Sequence, residues 1–466
     1  MKNVRIGFVP AHREPFDEDW AQQMRGRCLE AFAGIPGLEI VVPDTGLIAG
    51  GLVRNDADAE KTIGLFREKG IDGLMIGTMT FGDEVAALTV AEVFRDLPIL
   101  LFGTKEDAFT IQGSRKSDSF CGTLSVSSGL YRRKISFVFG GIVFPEETGF
   151  IINITNFISV CSVIRGFVGA KIGLVGPRPE RFETCIFNED ALIRKFQQRV
   201  VQTSLPDIFA RADNSAELKS ESSRILKQMQ KQADLSAVDI STKKKLIGLE
   251  YALTQFAEEK QLSALGIQCW TAMQSVYGIS PCYVMGRLTD RGIMTSCEVD
   301  IYGALTMLMQ YLASGSTTPP HFIDWTIRHQ EKGNVFLAWH CGNAPPSLAC
   351  NNPGIRIKYH SILGKSLGIE RSVGTGEFQL KSGAVTMCRL IERDGLFKML
   401  ISKGDIIPSN QDLRGSWSWV QVPDLDKLYN TLVMEGFTHH ASLVHGDYQQ
   451  VIHDACNFLG IETRTV

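Results

Sequence analysis

The sequence predicts an α/β protein, with two doubly wound parallel-sheet domains followed by a small β-barrel domain with closing helices. Three observations predict it. From Val4 to about Gly141, short β-rich runs alternate with helix-length amphipathic stretches, the cadence of a parallel sheet covered on both faces. A second series of the same kind opens at Lys171. After about Pro353 the texture changes to strands and turns without long helices, which reads as a barrel. The boundaries that follow are 1–168 for a flavodoxin-like amino-terminal domain, 169–350 for a central α/β domain and 351–466 for the barrel.

In the first series the strand candidates are VRIGFV, LEIVV, IDGLMIG, PILLFG and ISFVFGG, and Glu18 to Phe32, Asp56 to Lys69 and Asp83 to Arg95 carry apolar residues at helical spacing. Neither a G-x-G-x-x-G run nor a P-loop follows any of these strands, so no nucleotide is implied. The second series starts with KIGLVGPRPE and continues through helices at about Asp190 to Arg199, Ala216 to Ala233 and Ser241 to Glu259. SALGIQCW, GIMTSCEVD, the helix IYGALTMLMQYLAS, HFIDWTI and NVFLAWHCG complete it. The barrel strands are GIRIKYHSIL, GEFQLKSGAVTMCRLIERDG, LFKMLISKGDII and SWSWVQV. Helices at Asp424 to Gly436 and Asp447 to Leu459 close the chain, with THHASLVHGD as a loop between them.

A length of 466 residues with 44% hydrophobic content supports about three domains with ordinary cores. The net charge of -3, from 48 basic and 51 acidic residues, leaves no electrostatic footprint for nucleic acid. Eleven cysteines, scattered from Cys28 to Cys456 with no C-x-x-C pair, argue against a disulfide framework or a structural zinc ribbon. A reducing cytoplasm fits that usage. The opening MKNVRIGFVPAHREPF has no signal-peptide pattern. The longest apolar stretch, Phe150 to Ile164, is interrupted by polar residues and reads as a buried helix too short to span a bilayer, so no membrane partner is expected.

Three stretches of the second series end an apolar run on a group able to bind a hard cation: SCEVD, FIDWT and AWHCG. Desolvating such a group is costly unless it is paired or liganded. Glu298 has no evident structural role, whereas Asp300, just before an apolar helix, reads as its N-cap. Asp324 repeats the pattern and reads equally as a buried turn cap. His340 is either a satisfied core imidazole or a ligand. The parallel strands of the central sheet would deliver Glu298, Asp324 and His340 to a common crevice at their carboxyl ends. The tandem His439-His440 reads equally as an exposed turn, and if it serves a site, alternation lets one ring face it and turns the other away. Hard oxygens with one or two imidazoles favour Mn²⁺, Co²⁺ or Mg²⁺. Cys297 and Cys341 should point into the core.

The segments CEVDIYGALTM, FIDWT, WHCGNAPPSLA, GEFQLKSGAVTMCRL and HHASLVHGD, with DSFCG at Asp118 to Gly122, resemble the L-fucose isomerase and L-arabinose isomerase superfamily. The similarity is closest to its fucose-isomerase-like members and covers nearly the whole chain. It implies a three-domain protomer, a trimeric or hexameric homo-oligomer, and Mn²⁺-dependent aldose–ketose isomerisation of a deoxy or 6-modified monosaccharide through a cis-enediol. Glu298 and Asp324 match the family's two carboxylates, which bind metal and shuttle protons. His440 matches the ligand histidine of the carboxyl-terminal part. His340 is similar to a further ligand of the arabinose branch, and is otherwise a substrate contact. Gln268 resembles a contact to a substrate hydroxyl, and Arg13 falls near an amino-terminal arginine, although HREPFDEDW departs from the family's pattern. A non-catalytic sugar-binding or regulatory protein on the same fold is the alternative, and a metal-dependent lyase or epimerase would share the site.

Overall fold

The computed structural model describes residues 3–106, 115–213, 216–350 and 354–466. The expected boundary near Pro353 lies outside these residues. The chain forms two compact units, one running to Arg165 and taking in Asn457–Leu459, the other comprising Gly166–Cys456 and Gly460–Val466.

In the first unit, strands β1 (Val4–Ala11), β2 (Leu38–Val41), β3 (Gly73–Thr78), β4 (Ile99–Thr104) and β5 (Val138–Val143) form a parallel sheet in the order β2-β1-β3-β4-β5. That order is the flavodoxin-like form of the doubly wound fold. Its helices begin where the sequence supplies a cap: the side chains of Asp17, Asn55 and Asp83 each accept from the N–H three residues on. One face of the sheet buries Phe8, Met75 and Phe102 against Met24, Phe32, Phe150 and Phe157, and the other buries Leu74, Ile76 and Leu101 against Phe66, Val90 and Leu130. The glycine of DSFCG is required by close packing, because a Cβ on Gly122 would sit 1.5 Å from the Phe81 carbonyl oxygen.

One expectation changes here. The apolar stretch read as too short to span a bilayer belongs to a 20-residue helix, Thr148–Phe167, which is long and apolar enough to do so. Its Phe150, Ile154, Phe157, Ile158 and Cys161 are buried in the first unit's core, so the burial expected of it holds while the length does not.

The second unit opens with a four-stranded parallel sheet of β6 (Lys171–Val175), β7 (Arg199–Thr203), β9 (Ala264–Ile267) and β10 (Met294–Cys297), ordered β10-β9-β6-β7. The short β8 (Ala233–Asp234) pairs elsewhere, with β13 (Ile355–Tyr359). The remaining strands are β11 (His321–Arg328), β12 (Val335–His340), β14 (Val373–Gln379), β15 (Gly383–Arg393), β16 (Leu396–Ile407), β17 (Ser416–Gln421), β18 (His440–His445) and β19 (Glu462–Thr465). Among them β16, β15, β18, β11, β12 and β17 pair antiparallel in that sequence, and β17 returns to β16, which closes a barrel. Closure removes the exposed edges an open sheet would leave.

Two strands expected in the central parallel sheet, HFIDWTI and NVFLAWHCG, are the antiparallel β11 and β12 of this barrel. THHASLVHGD, expected as a loop, supplies β18 between β11 and β15. The helix Ile301–Ala313 packs on β11, β15 and β18 and joins the parallel sheet to the barrel. Its Gln310 Nε2 donates to the carbonyls of Thr386 (3.0 Å) and Ser442 (3.2 Å), which ties that helix to two barrel strands.

Candidate active site

Only Glu298 reaches the site from a parallel strand. It and Val299 are the central residues of a tight turn after β10, closed by the Asp300 N–H donating to the Cys297 carbonyl at 3.0 Å. Both have left-handed backbone, with φ of 58° and 60°, in a turn type that favours Asn and Gly. For non-glycine residues this conformation costs about 1–3 kcal/mol each, and Val299, being β-branched, is the more unusual of the two. Gly266 on β9 makes room, since a Cβ there would lie 3.2 Å from the Val299 backbone. The turn aims Glu298 away from the line of its strand and sets Asp300 at the start of the helix.

Asp300 is the helix N-cap, its Oδ1 accepting from the Gly303 N–H at 2.8 Å. It does more than cap. Its Oδ2 lies 2.8 Å from His440 Nδ1 and also accepts from Arg389 Nη1, while Arg389 Nη2 donates to Oδ1 at 3.2 Å. All three side chains are buried. Burial alone would raise the Asp300 carboxyl, but Arg389 and His440 outweigh it and hold the group well below the usual carboxylate range. An ionised Asp300 can only accept, so Nδ1 of His440 carries a hydrogen, and Nε2 is the nitrogen that offers a lone pair once the ring has released its second proton. This is the carboxylate–histidine arrangement that orients imidazole ligands.

His440 begins β18 directly opposite Asp324 on β11, a cross-strand pair whose side chains share a face. His440 Nε2 is 2.9 Å from Glu298 Oε2 and 3.7 Å from Asp324 Oδ1. In a small octahedral cation with bonds of about 2.1 Å, neighbouring ligand atoms sit about 3.0 Å apart, close to the first of these distances. Among the described residues, Glu298 Oε2 and Asp324 Oδ1 are buried without a hydrogen-bond partner, as is Nε2 of His340. Two carboxylate oxygens left this way beside an imidazole nitrogen that becomes a ligand on deprotonation fit a hard divalent cation.

A ring nitrogen of His340 lies within 4.8 Å of ligand atoms of Asp324 and His440. Burial, and then the neighbouring His440, hold His340 well below the ordinary histidine range, so the ring is neutral. Asp324, whose side chain is 22% accessible, is pushed up to about 7 by burial; His440 opposes the rise and Glu298 adds to it. Phe322 packs its ring 4.7 Å from that of His440 and 5.5 Å from that of His340, forming an apolar side of the cluster.

The structure therefore brings Asp324, His340 and His440 within 4.8 Å of one another and sets Glu298 against His440 Nε2, though not as the ends of one parallel sheet. Asp324 sits mid-strand and His340 ends an antiparallel strand, so barrel register rather than a strand-end crevice assembles the site. Of the tandem histidines, His440 faces the cluster and His439 turns outward, its side chain 47% exposed and 4.0 Å from Asp324 Oδ1. Gln268 follows β9, whose Ile267 pairs with Cys297, and so stands at the strand end next to Glu298. Arg13 belongs to the first unit, exposed after β1 and stacked 5.1 Å over the Phe81 ring. Cys297 and Cys341 are buried, as expected. Arg389 and the second role of Asp300 escaped sequence reasoning. A lone arginine inside the apolar run VTMCRLI was the available signal.

Comparison with known proteins bears on this arrangement. The family pattern described as fucose/sulfoquinovose isomerase, N-terminal domain, matches residues 7–168, and that of L-fucose isomerase, C-terminal domain, matches residues 338–465. The sulfoquinovose isomerase of Priestia megaterium is 26% identical over 472 residues, covering 100% of this chain and 99% of the relative. The sulfoquinovose isomerase of Alkalicoccus urumqiensis is 26% identical over 389 residues, covering 82% of this chain and 83% of the relative. With its fold, its two-ended match and these relatives, the chain belongs to the L-fucose isomerase-like family and is an isomerase.

Proposed function

We propose that the protein is a divalent-metal-dependent aldose–ketose isomerase acting on a sugar modified at carbon 6. The observation that carries this reading is that two buried carboxylate oxygens, Glu298 Oε2 and Asp324 Oδ1, lie 2.9 Å and 3.7 Å from the oriented His440 Nε2. Glu298, Asp324 and His440 would hold the ion, with Mn²⁺ expected and Co²⁺ or Mg²⁺ as substitutes. Bound there, such an ion supplies electrostatic stabilisation of negative charge developing on the two substrate oxygens.

By the enediol route a proton leaves C2 and returns to C1 through a cis-enediol, and another passes between O1 and O2. Glu298 and Asp324 carry these transfers. A carboxylate has two oxygens, so each residue can hold a cation with one and exchange a proton with the other. Gln268, beside Glu298, contacts a substrate hydroxyl. Sulfoquinovose, the sugar in the relatives' names, is a hexose bearing a sulfonate at carbon 6, which supports the substrate class. A homo-oligomer, trimeric or hexameric, and a cytoplasmic location complete the reading.

The test is incubation of the protein and Mn²⁺ with a panel of aldoses, including sulfoquinovose, 6-deoxy sugars and their unmodified counterparts, with detection of ketose. Turnover restricted to unmodified sugars would refute the substrate class. Running the productive reaction in D₂O separates two routes: deuterium in the product supports proton transfer, and turnover without label indicates a hydride shift.

Metal loading should depend on pH. Both Asp324, with its carboxyl near 7, and His440, raised well above the ordinary histidine value because Asp300, Cys185 and Glu298 outweigh its burial, must release a proton before they can ligate. The protonated forms dominate at low pH, so affinity falls as pH drops. Below about pH 7 we expect Mn²⁺ affinity to weaken by at least tenfold per pH unit. Manganese titrations followed by electron paramagnetic resonance between about pH 6 and 8 read this directly. A flat profile would contradict proton–metal competition at these residues.

A further inference from the structure

We propose that His340 is a hydrogen-bond donor to a substrate oxygen, through Nε2–H, and not a fourth ligand of the metal. This rests on the isomerase reading for the identity of the acceptor, but the assignment of the ring's hydrogen rests on geometry alone.

The two buried histidines of the site face opposite kinds of partner through Nδ1. His440 faces a carboxylate with Nδ1, which fixes a hydrogen there and leaves Nε2 as the nitrogen that can ligate after deprotonation. His340 faces a donor: the Cys341 backbone N–H donates to its Nδ1 at 2.9 Å, and the Cys341 Sγ lies 3.1 Å from the same nitrogen. A backbone N–H cannot accept, so Nδ1 of His340 must present its lone pair, and in a neutral imidazole the hydrogen then sits on Nε2. Coordination through Nε2 would move that hydrogen to Nδ1 and set it against the Cys341 N–H. One hydrogen bond would be lost and two donors would be opposed.

What remains is a buried N–H without an acceptor among the described residues, in the same cluster as Asp324 and His440. Such a donor costs stability unless something accepts from it. A sugar oxygen that gains negative charge during enolisation is an acceptor of the right kind, and a preorganised donor at that point lowers the barrier.

The test compares His340→Ala and His340→Gln with the wild type, using manganese binding and turnover as separate readouts. Gln keeps an N–H at a reach similar to Nε2. We expect electron spin-echo spectra of the wild-type Mn²⁺ complex to show one coordinated imidazole nitrogen. Both variants should keep wild-type manganese affinity within about threefold, with kcat/KM down about 100-fold in His340→Ala and partly restored in His340→Gln. Two coordinated imidazoles, or loss of metal in His340→Ala comparable to that in His440→Ala, would overturn the proposal. If no aldose is turned over, the isomerase reading fails while the imidazole count still judges the tautomer. If no manganese binds, the ¹⁵N shifts of labelled histidine decide: hydrogen on Nδ1 of His340 overturns it, and hydrogen on Nε2 sustains it.

Discussion

Glu298→Gln abolishes turnover and leaves the fold intact. The substitution keeps the shape of the side chain and the main-chain hydrogen bonds of the left-handed turn, in which Val299 N–H reaches the Ile267 carbonyl and Asp300 N–H the Cys297 carbonyl. It removes one of the negative charges facing His440 Nε2 and one of the groups able to take up a proton. Losing general base catalysis alone costs about 10²–10⁴-fold, and weakened ion binding adds to it, so kcat/KM should fall by at least about 10⁴-fold. Steady-state assays beside circular dichroism and thermal melting check the two halves of the expectation. Full activity in this variant would remove Glu298 from the chemistry and the isomerase mechanism with it.

The largest effect on stability is expected from Asp300→Asn. The change leaves the Arg389 guanidinium buried without its anion, and breaking a buried pair on one side costs about 3–5 kcal/mol. It also deprives His440 of the acceptor that fixes its tautomer, for which about a 10–100-fold loss of metal affinity is expected. Melting curves and manganese titrations measure the two losses separately. Adding Arg389→Met should recover much of the stability, because an apolar side chain needs no counter-charge, and should leave the metal affinity low. Wild-type stability in the single variant would show that Asp300 does not balance Arg389.

Local pattern carried much of the fold. Asn55 and Gly70 bracket an amphipathic stretch, and the helix Asp56–Lys69 has the predicted ends. The apolar run after Asp300 announced its helix in the same way. What local pattern does not carry is which strands pair. HFIDWTI reads equally well in a parallel sheet or a barrel, and THHASLVHGD is too short and polar at its start to advertise a strand. The residue types at the site were readable, because Glu298, Asp324 and His340 interrupt or end apolar runs. Their meeting was not, since it depends on Asp324 lying opposite His440. Alternation said that one of the tandem histidines turns away, but only strand pairing says which. The Glu298–Val299 turn defies its own residues, neither of which favours left-handed backbone. No periodicity signals such a departure.

The late arrival of β18 also governs when the protein becomes competent. The strand that carries His440 sits between two strands already synthesised, and 115 residues separate it from Asp324. At 5–20 residues per second a ribosome needs roughly 6–23 s to cover that interval. On the proposed assignment of His440 as a ligand, completion of the metal site waits until β18 has been made, and a chain that stalls before His440 lacks that ligand.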